Sequence, residues 1–133
     1  MARYLLDTDI CSYIMRNKPP EARARMNAVP LDDQCISVVT LAELLYGVKR
    51  SSKPAANRAV LNAFLRHVTL LNWDAEAAEH YSEIRATLES KGVPIGSMDM
   101  MIAAHAKSLG AIIVTNNRQH FERVRGLKVE TWL

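Results

Sequence analysis

Cysteine is scarce in this chain: only Cys11 and Cys35 occur among 133 residues. Both lie in apolar surroundings without CxxC spacing, which argues against a disulfide framework or a zinc site and predicts buried free thiols. No apolar run approaches the roughly 20 residues needed to span a bilayer. Met1-Ala2-Arg3 leads directly into a strand-like run holding Asp7, without the long apolar centre and small-residue cleavage site of a signal peptide. A cytoplasmic protein with no membrane partner is therefore expected. There is no internal repeat and no low-complexity segment. Neither a GxxxxGK[ST] loop nor a GxGxxG fingerprint occurs. The histidines His67, His80, His105 and His120 are scattered, lack zinc-site spacing, and read as structural or surface residues. Ser37 and Thr40 have no adjacent His-Asp pattern, so a hydrolase triad is not expected.

What remains is an ordinary apolar fraction carrying an unusual distribution of acids. At 133 residues and 49% hydrophobic content, the chain suits a single domain over 1–133 with a substantial core. A chain of this length can bury roughly two-thirds of its extended surface. The net charge is +3 and the pI near 9.0. Setting aside Asp7, Asp9, Glu43 and Asp99 leaves 10 acids against 17 bases. An acidic pocket in a basic body suits a metal enzyme acting on a polyanion such as nucleic acid.

Strand-like and helix-like segments alternate. Arg3 to Asp7 reads as a buried strand, and Asp9 to Arg16 as a helix with Asp9 available as its cap. Pro19 and Pro20 punctuate, and Pro20 can start a second helix running to about Ala28. Cys35 to Val38 is a short strand, followed by a helix from Val39 or Thr40 to about Arg50. Pro54 opens a helix ending near His67, and Val68 to Asn72 is a third strand. Asp74 to Lys91 is the longest helix, closed by Gly92. Ser97 can cap the next, which stops at Gly110. Ala111 to Thr115 is a fourth strand, with a short helix near Phe121 and an edge strand at Lys128 to Thr131. Strands separated by helices predict an α/β/α sandwich around a mainly parallel sheet of four to five strands. Ligands of such sheets bind beyond the carboxyl ends of the strands, at a switch in strand order.

Three acids stand isolated in apolar sequence. Asp7 closes the first apolar run. Glu43 is the only charged residue between Cys35 and Val48, and Asp99 the only one between Val93 and His105, counting His as neutral. A lone carboxylate is costly to bury, so three of them suggest convergence on a cation. Simpler readings exist for each. Asp7 could be a strand-end residue, Asp9 a helix cap, and Asp99 an acid favoured by its helix dipole. Glu43 lies opposite Leu41, Leu44, Leu45 and Val48 on a helical wheel, as a surface residue would. However, that side carries no other charge, and Gly47 would permit a close approach. An all-oxygen set selects Mg²⁺ or Mn²⁺ over zinc or copper. Such an ion lowers the pKa of bound water and polarises a phosphoryl oxygen, which favours phosphodiester hydrolysis.

Leu5-Leu6-Asp7-Thr8-Asp9-Ile10 resembles the opening motif of PIN-domain ribonucleases. Ile36-Ser37-Val38-Val39-Thr40-Leu41-Ala42-Glu43-Leu44 resembles their second motif. Asp99 with Ile102-Ala103-Ala104-His105-Ala106 is similar to the third. Ile113-Val114-Thr115-Asn116-Asn117, with Phe121, Arg123-Val124 and Gly126-Leu127, resembles the fourth. The match covers nearly the whole chain, and the VapC-type toxins of bacterial toxin–antitoxin pairs are the nearest subgroup.

The resemblance implies a PIN-like fold and a Mg²⁺- or Mn²⁺-dependent endoribonuclease. Asp7, Glu43 and Asp99 would be its metal-site acids, with Asp9 more a cap than a ligand. Thr115 would help position metal-bound water. Asn117 stands where many members carry a fourth acid, which argues for one well-held ion. The resemblance also implies structured RNA as substrate, commonly tRNA, with initiator tRNA associated with the nearest subgroup. Partners would be a VapB-type antitoxin and a second copy in a homodimer. Ile10, Tyr13 and Ile14 of the first helix could line the antitoxin groove or simply pack in the core. Lys49, Arg50, Lys53 and Arg58 form a candidate phosphate-contacting segment or a solvated basic loop, and Arg85 could be surface alone. Two rivals remain. A haloacid-dehalogenase-like phosphatase would use Asp7-Thr8-Asp9 through an aspartyl-phosphate, but the chain lacks the acidic pair that class carries after a late strand. A catalytically degenerate PIN-like module would bind RNA without cutting it.

Overall fold

A computed structural model describes residues 3–18 and 20–133. Pro19 and the first two residues, on which the N-terminal leader reading rests, lie outside them. Five strands form one sheet: β1 (Tyr4–Leu6), β2 (Gln34–Ser37), β3 (Thr69–Leu71), β4 (Ile112–Val114) and β5 (Lys128–Glu130). Their order is β3-β2-β1-β4-β5, and every pairing is parallel. The helices are α1 (Thr8–Arg16), α2 (Pro20–Ala28), α3 (Val38–Arg50), α4 (Pro54–Leu65), α5 (Ala75–Ser90), α6 (Ser97–Leu109) and α7 (Arg118–Glu122). A 3₁₀ turn at Leu31–Asp33 precedes β2.

The two-residue period of a strand divides the core. Leu5, Cys35 and Ile113 face one side and pack with Ile84, Leu88, Ile102 and Phe121 of α5, α6 and α7. Their immediate neighbours Leu6, Ile36 and Val114 face the other side and pack with Ile10, Ile14, Leu44, Leu61 and Phe64 of α1, α3 and α4. Both faces of the central strands are thus covered, as expected for a parallel sheet. Cys11 and Cys35 are buried free thiols, as their sequence context predicts.

Several boundaries differ from the sequence reading for identifiable reasons. The cap of α1 is Asp7 rather than Asp9: its side chain accepts from the Ile10 N–H at 2.8 Å. Ser97 is the first residue of α6 rather than its cap, a position held by Gly96 without a side-chain bond. Ser37 caps α3, accepting from the Val39 N–H at 3.1 Å, so the second strand ends one residue earlier than expected. Asp74 caps α5 through the Ala77 N–H, and Gly110 closes α6 at φ 64°, a left-handed conformation that glycine adopts without strain. Among the described residues, no helix is long and apolar enough to cross a membrane.

Candidate active site

The strand order fixes where a site can form. The chain leaves β1 toward β2 and β3, then returns on the other flank of β1 as β4 and β5. The switch point is therefore the crevice at the carboxyl ends of β1 and β4. Asp7 follows β1 and Thr115 follows β4. The Asp7 N–H donates to the Val114 carbonyl at 3.0 Å, and the Thr115 N–H to the Glu130 carbonyl at 3.0 Å. Both residues are thereby pinned to the sheet edge by backbone bonds.

Asp7 is only 3% exposed. One carboxylate oxygen, Oδ1, caps α1. The other, Oδ2, accepts from the Thr115 hydroxyl at 2.5 Å. Burial nevertheless dominates and raises its pKa to about 7. The Ile10 and Thr115 hydrogen bonds oppose the rise, and the charges of Asp9 and Asp99 add to it. Asp99 is half-buried in the first turn of α6, and its pKa is also raised, chiefly by burial. His120 eases that rise and Asp9 adds to it. The three aspartates therefore lie close enough to repel one another.

Asn117 sits beside this pair. Its backbone N–H donates to the Thr115 hydroxyl at 2.8 Å, which makes Thr115 a relay between Asp7 and the start of α7. The Asn117 amide lies 2.8 Å from His120 Nδ1, which in turn lies 3.5 Å from Asp99 Oδ2. His120 is thus a surface histidine with a structural role that the sequence does not specify: it bridges two of the predicted site residues. The signal that could have found it is spacing from Asn117, since i and i+3 share one face of a helix. Thr8 has no such signal and also escapes the sequence reading.

Glu43 lies apart from this hub. It is partly exposed on the second turn of α3, and its Oε1 accepts from the Thr8 hydroxyl in the first turn of α1. It opens onto a cleft of about 510 Å³ between α1, α3 and α4, lined also by Met15, Gly47, Val60 and Leu61. Gly47 faces open space in this cleft, since a Cβ there would meet nothing within 4 Å. Ile10 is buried core, so the helix presents Thr8, Ser12 and Met15 to this cleft instead. Ile14 lines a neighbouring cleft of about 430 Å³ with Arg23, Met26 and Phe64.

The donor chemistry suits a hard cation. Burial disfavours the charged form of both Asp7 and Asp99, and a positive ion between such carboxylates favours it again. Among the described residues, however, no group of three or more His, Cys, Asp or Glu side chains is placed to hold a metal ion. That is compatible with Mg²⁺, which uses one or two carboxylates and completes its shell with water and substrate phosphate. Lys49, Arg50, Lys53 and Arg58 are exposed at the end of α3 and on α4. Arg50 stacks over the Tyr46 ring at 5.5 Å, and Arg58 bonds Asn62. Arg85 is a surface residue paired with Glu89.

A parallel sheet ordered in this way, with acids converging at its switch point, defines a class that comparison with known proteins identifies. The PIN domain family model matches residues 4–127. The tRNA(fMet)-specific endonuclease VapC of Shigella flexneri is 48% identical over 132 residues, covering 99% of both chains. Its counterpart from Salmonella typhimurium is 43% identical over the same share. Among solved structures, the DNA-bound VapBC of Salmonella typhimurium superposes with a TM-score of 0.94 at 43% identity, covering 100% of both chains. VapBC2 from Rickettsia felis, bound to a DNA fragment from its promoter, gives 0.92 at 36% identity and 98% coverage of both. The chain belongs to the PIN domain family and, within it, to the VapC group. That membership removes the phosphatase reading.

Proposed function

We propose that this protein is a Mg²⁺- or Mn²⁺-dependent endoribonuclease toxin that cuts structured RNA, with tRNA and specifically initiator tRNA as its target. The observation that carries the reading is the placement of buried Asp7 and half-buried Asp99 at the sheet switch point, linked through Thr115, Asn117 and His120. The VapC relatives named as tRNA(fMet)-specific endonucleases support the same substrate class. Asp7 and Asp99 would hold the ion, with Glu43 reaching it from α3. The ion would supply an activated water and a positive charge beside the phosphoryl oxygens.

The protein's own contribution is positioning. Thr115 keeps Asp7 Oδ2 aimed by donating to it, and α1 holds Oδ1 through the Ile10 N–H. His120 and Asn117 fix the Asp99 side of the crevice. Asn117 brings no charge, so a single well-held ion fits the donor set. Lys49, Arg50, Lys53 and Arg58 extend a basic surface along α3 and α4 for the RNA backbone.

A VapB-type antitoxin would occupy the cleft beside Glu43 and so cover the acids; solved VapBC complexes support that partner. A homodimer in the cytoplasm completes the reading, and sedimentation equilibrium checks the stoichiometry. The decisive experiment incubates purified, antitoxin-free protein with total tRNA and Mg²⁺, with and without chelator, beside Asp7→Ala and Asp99→Asn. Cleavage by the wild type alone, abolished by chelator, is the expected result. Cleavage that survives the chelator or either substitution overturns the metal-site assignment. Binding without cleavage by the wild type makes the protein a non-catalytic RNA-binding module.

A further inference from the structure

The basic segment on α3 and α4 is not the only cationic surface. On the opposite face of the sheet, a pocket of about 230 Å³ lies between α5, α6 and the turn after α7. Four basic residues line it, Lys91, Lys107, Arg123 and Arg125, against a single acid, Glu83. Elsewhere Arg25, Arg85 and Arg118 each pair with a carboxylate at 2.6–3.0 Å. Among the described residues, none of the four pocket cations forms such a pair. Four cations around one hollow, with Glu83 as the one acid in its lining, leave an excess of positive charge that an anion relieves.

One of the four is held by a hydrogen bond, and a second lies along the turn after α7. Arg123 Nη1 donates to the Pro94 carbonyl at 3.2 Å in the loop between α5 and α6. Lys107 runs beside the turn at Gly126, where a Cβ would lie 3.6 Å from its Cε and 3.8 Å from its Nζ. Gly126 has φ +80°, a left-handed conformation that glycine adopts without strain and that makes the turn beside the lysine. The pocket also connects to the crevice. The Arg123 N–H donates to the His120 carbonyl at 3.3 Å, and His120 Nδ1 lies 3.5 Å from Asp99 Oδ2. Three helical residues, a rise of about 4.5 Å, thus separate the residue facing Asp99 from the first cation of the pocket.

We propose that this pocket is a phosphate-binding surface that grips the RNA backbone alongside the cleaved bond. It rests on the nuclease reading for its substrate. Its chemistry is that of backbone contact: cations without ordered acceptors for base edges contribute affinity and salt dependence rather than sequence choice.

The test is binding of fluorescently labelled tRNA in EDTA, where metal-dependent cleavage is off, across a series of salt concentrations. The probe variants are the double substitution Lys91→Gln with Arg125→Gln, and Lys107→Gln alone. Arg25→Gln, which removes a cation of α2 paired with Glu130, controls for net charge. The expected result is a roughly tenfold weaker Kd for the double variant, with the salt slope reduced by about 0.7–0.9 for each phosphate no longer neutralised. With Mg²⁺ restored, KM for tRNA should rise while kcat on a short oligoribonucleotide stays at the wild-type value. The proposal is overturned if folded pocket variants, with melting midpoints like the wild type, keep the wild-type Kd and slope, or weaken no more than Arg25→Gln. A wild type that binds tRNA but never cuts it would sink the nuclease reading instead, and the binding series separates the two outcomes.

Discussion

The two sides of the crevice are built differently. On the β1–β4 side, Asp7 is buried, bonded through both oxygens, and tied to Asn117 by way of Thr115. On the α3 side, Glu43 is partly exposed and held by the Thr8 hydroxyl beside an open cleft. The first side is preorganised at an electrostatic cost; the second keeps its acid in contact with solvent at little cost. On the proposed reading, the difference teaches that Asp7 and Asp99 would set the charge of the site, with Glu43 contributing from a more exposed position.

The strongest way to break this comparison is Asp7→Asn. Asparagine caps helices about as well as aspartate, so the fold should survive, while RNA cleavage should fall on the order of 10³-fold with loss of an ion-binding charge. Fluorescence-monitored cleavage beside a thermal melt separates the two effects.

The same residue should govern stability against pH in metal-free protein. A pKa of about 7, against 3.8 in the unfolded chain, means the folded state binds the extra proton between those values. Stability should therefore be greatest near pH 4 and decline as pH rises to about 7, by up to about 4 kcal/mol at one site. Melts at pH 5 and 7.5 should show this decline in the wild type and a flatter profile in Asp7→Asn. Added Mg²⁺ should recover stability at the higher pH by favouring the ionised form.

Thr115→Val sharpens the contrast from the other partner. It keeps the shape but removes both the hydroxyl proton for Asp7 and the acceptor for the Asn117 N–H. A loss of about 1–3 kcal/mol in stability is expected, with cleavage reduced on the order of 10²-fold. Chemical denaturation and single-turnover kinetics measure each. On the flexible side, Glu43→Gln should cost least, roughly tenfold in activity, about 1.4 kcal/mol. The amide can still accept from Thr8, and the change should raise the Mg²⁺ concentration needed for half-maximal rate. A loss as severe as that of Asp7→Asn would erase the distinction between the two sides.

Much of this arrangement is legible in the chain. Asp7, Glu43 and Asp99 stand out because each is a lone charge in apolar sequence, and alternation of strands with helices brings their elements to one sheet edge. The same alternation points to a mainly parallel sheet of four to five strands; that β5 forms and that every pairing is parallel is settled by the structure. Capping is less legible: Asp7 and Asp9 are both plausible caps, and only the backbone turn after Leu6 decides for Asp7. Pairwise side-chain contacts are not legible at all. Thr8 and Glu43 are 35 residues apart, and His120 and Asp99 are 21 apart, so neither link has a local signature. The pocket of Lys91, Lys107, Arg123 and Arg125 is equally a product of folding, since its cations come from three separate segments.

The bond between Asp7 and Thr115 joins residues 108 positions apart, and Thr115 is itself pinned by a carbonyl of the last strand. The first strand occupies the middle of the sheet, flanked by strands made later. A chain that already carries all three acids therefore has no assembled site until β5 has paired with β4. Such non-local pairing is also slow to form. The chemistry of the crevice is thus tied to completion of the sheet rather than to the presence of the acids.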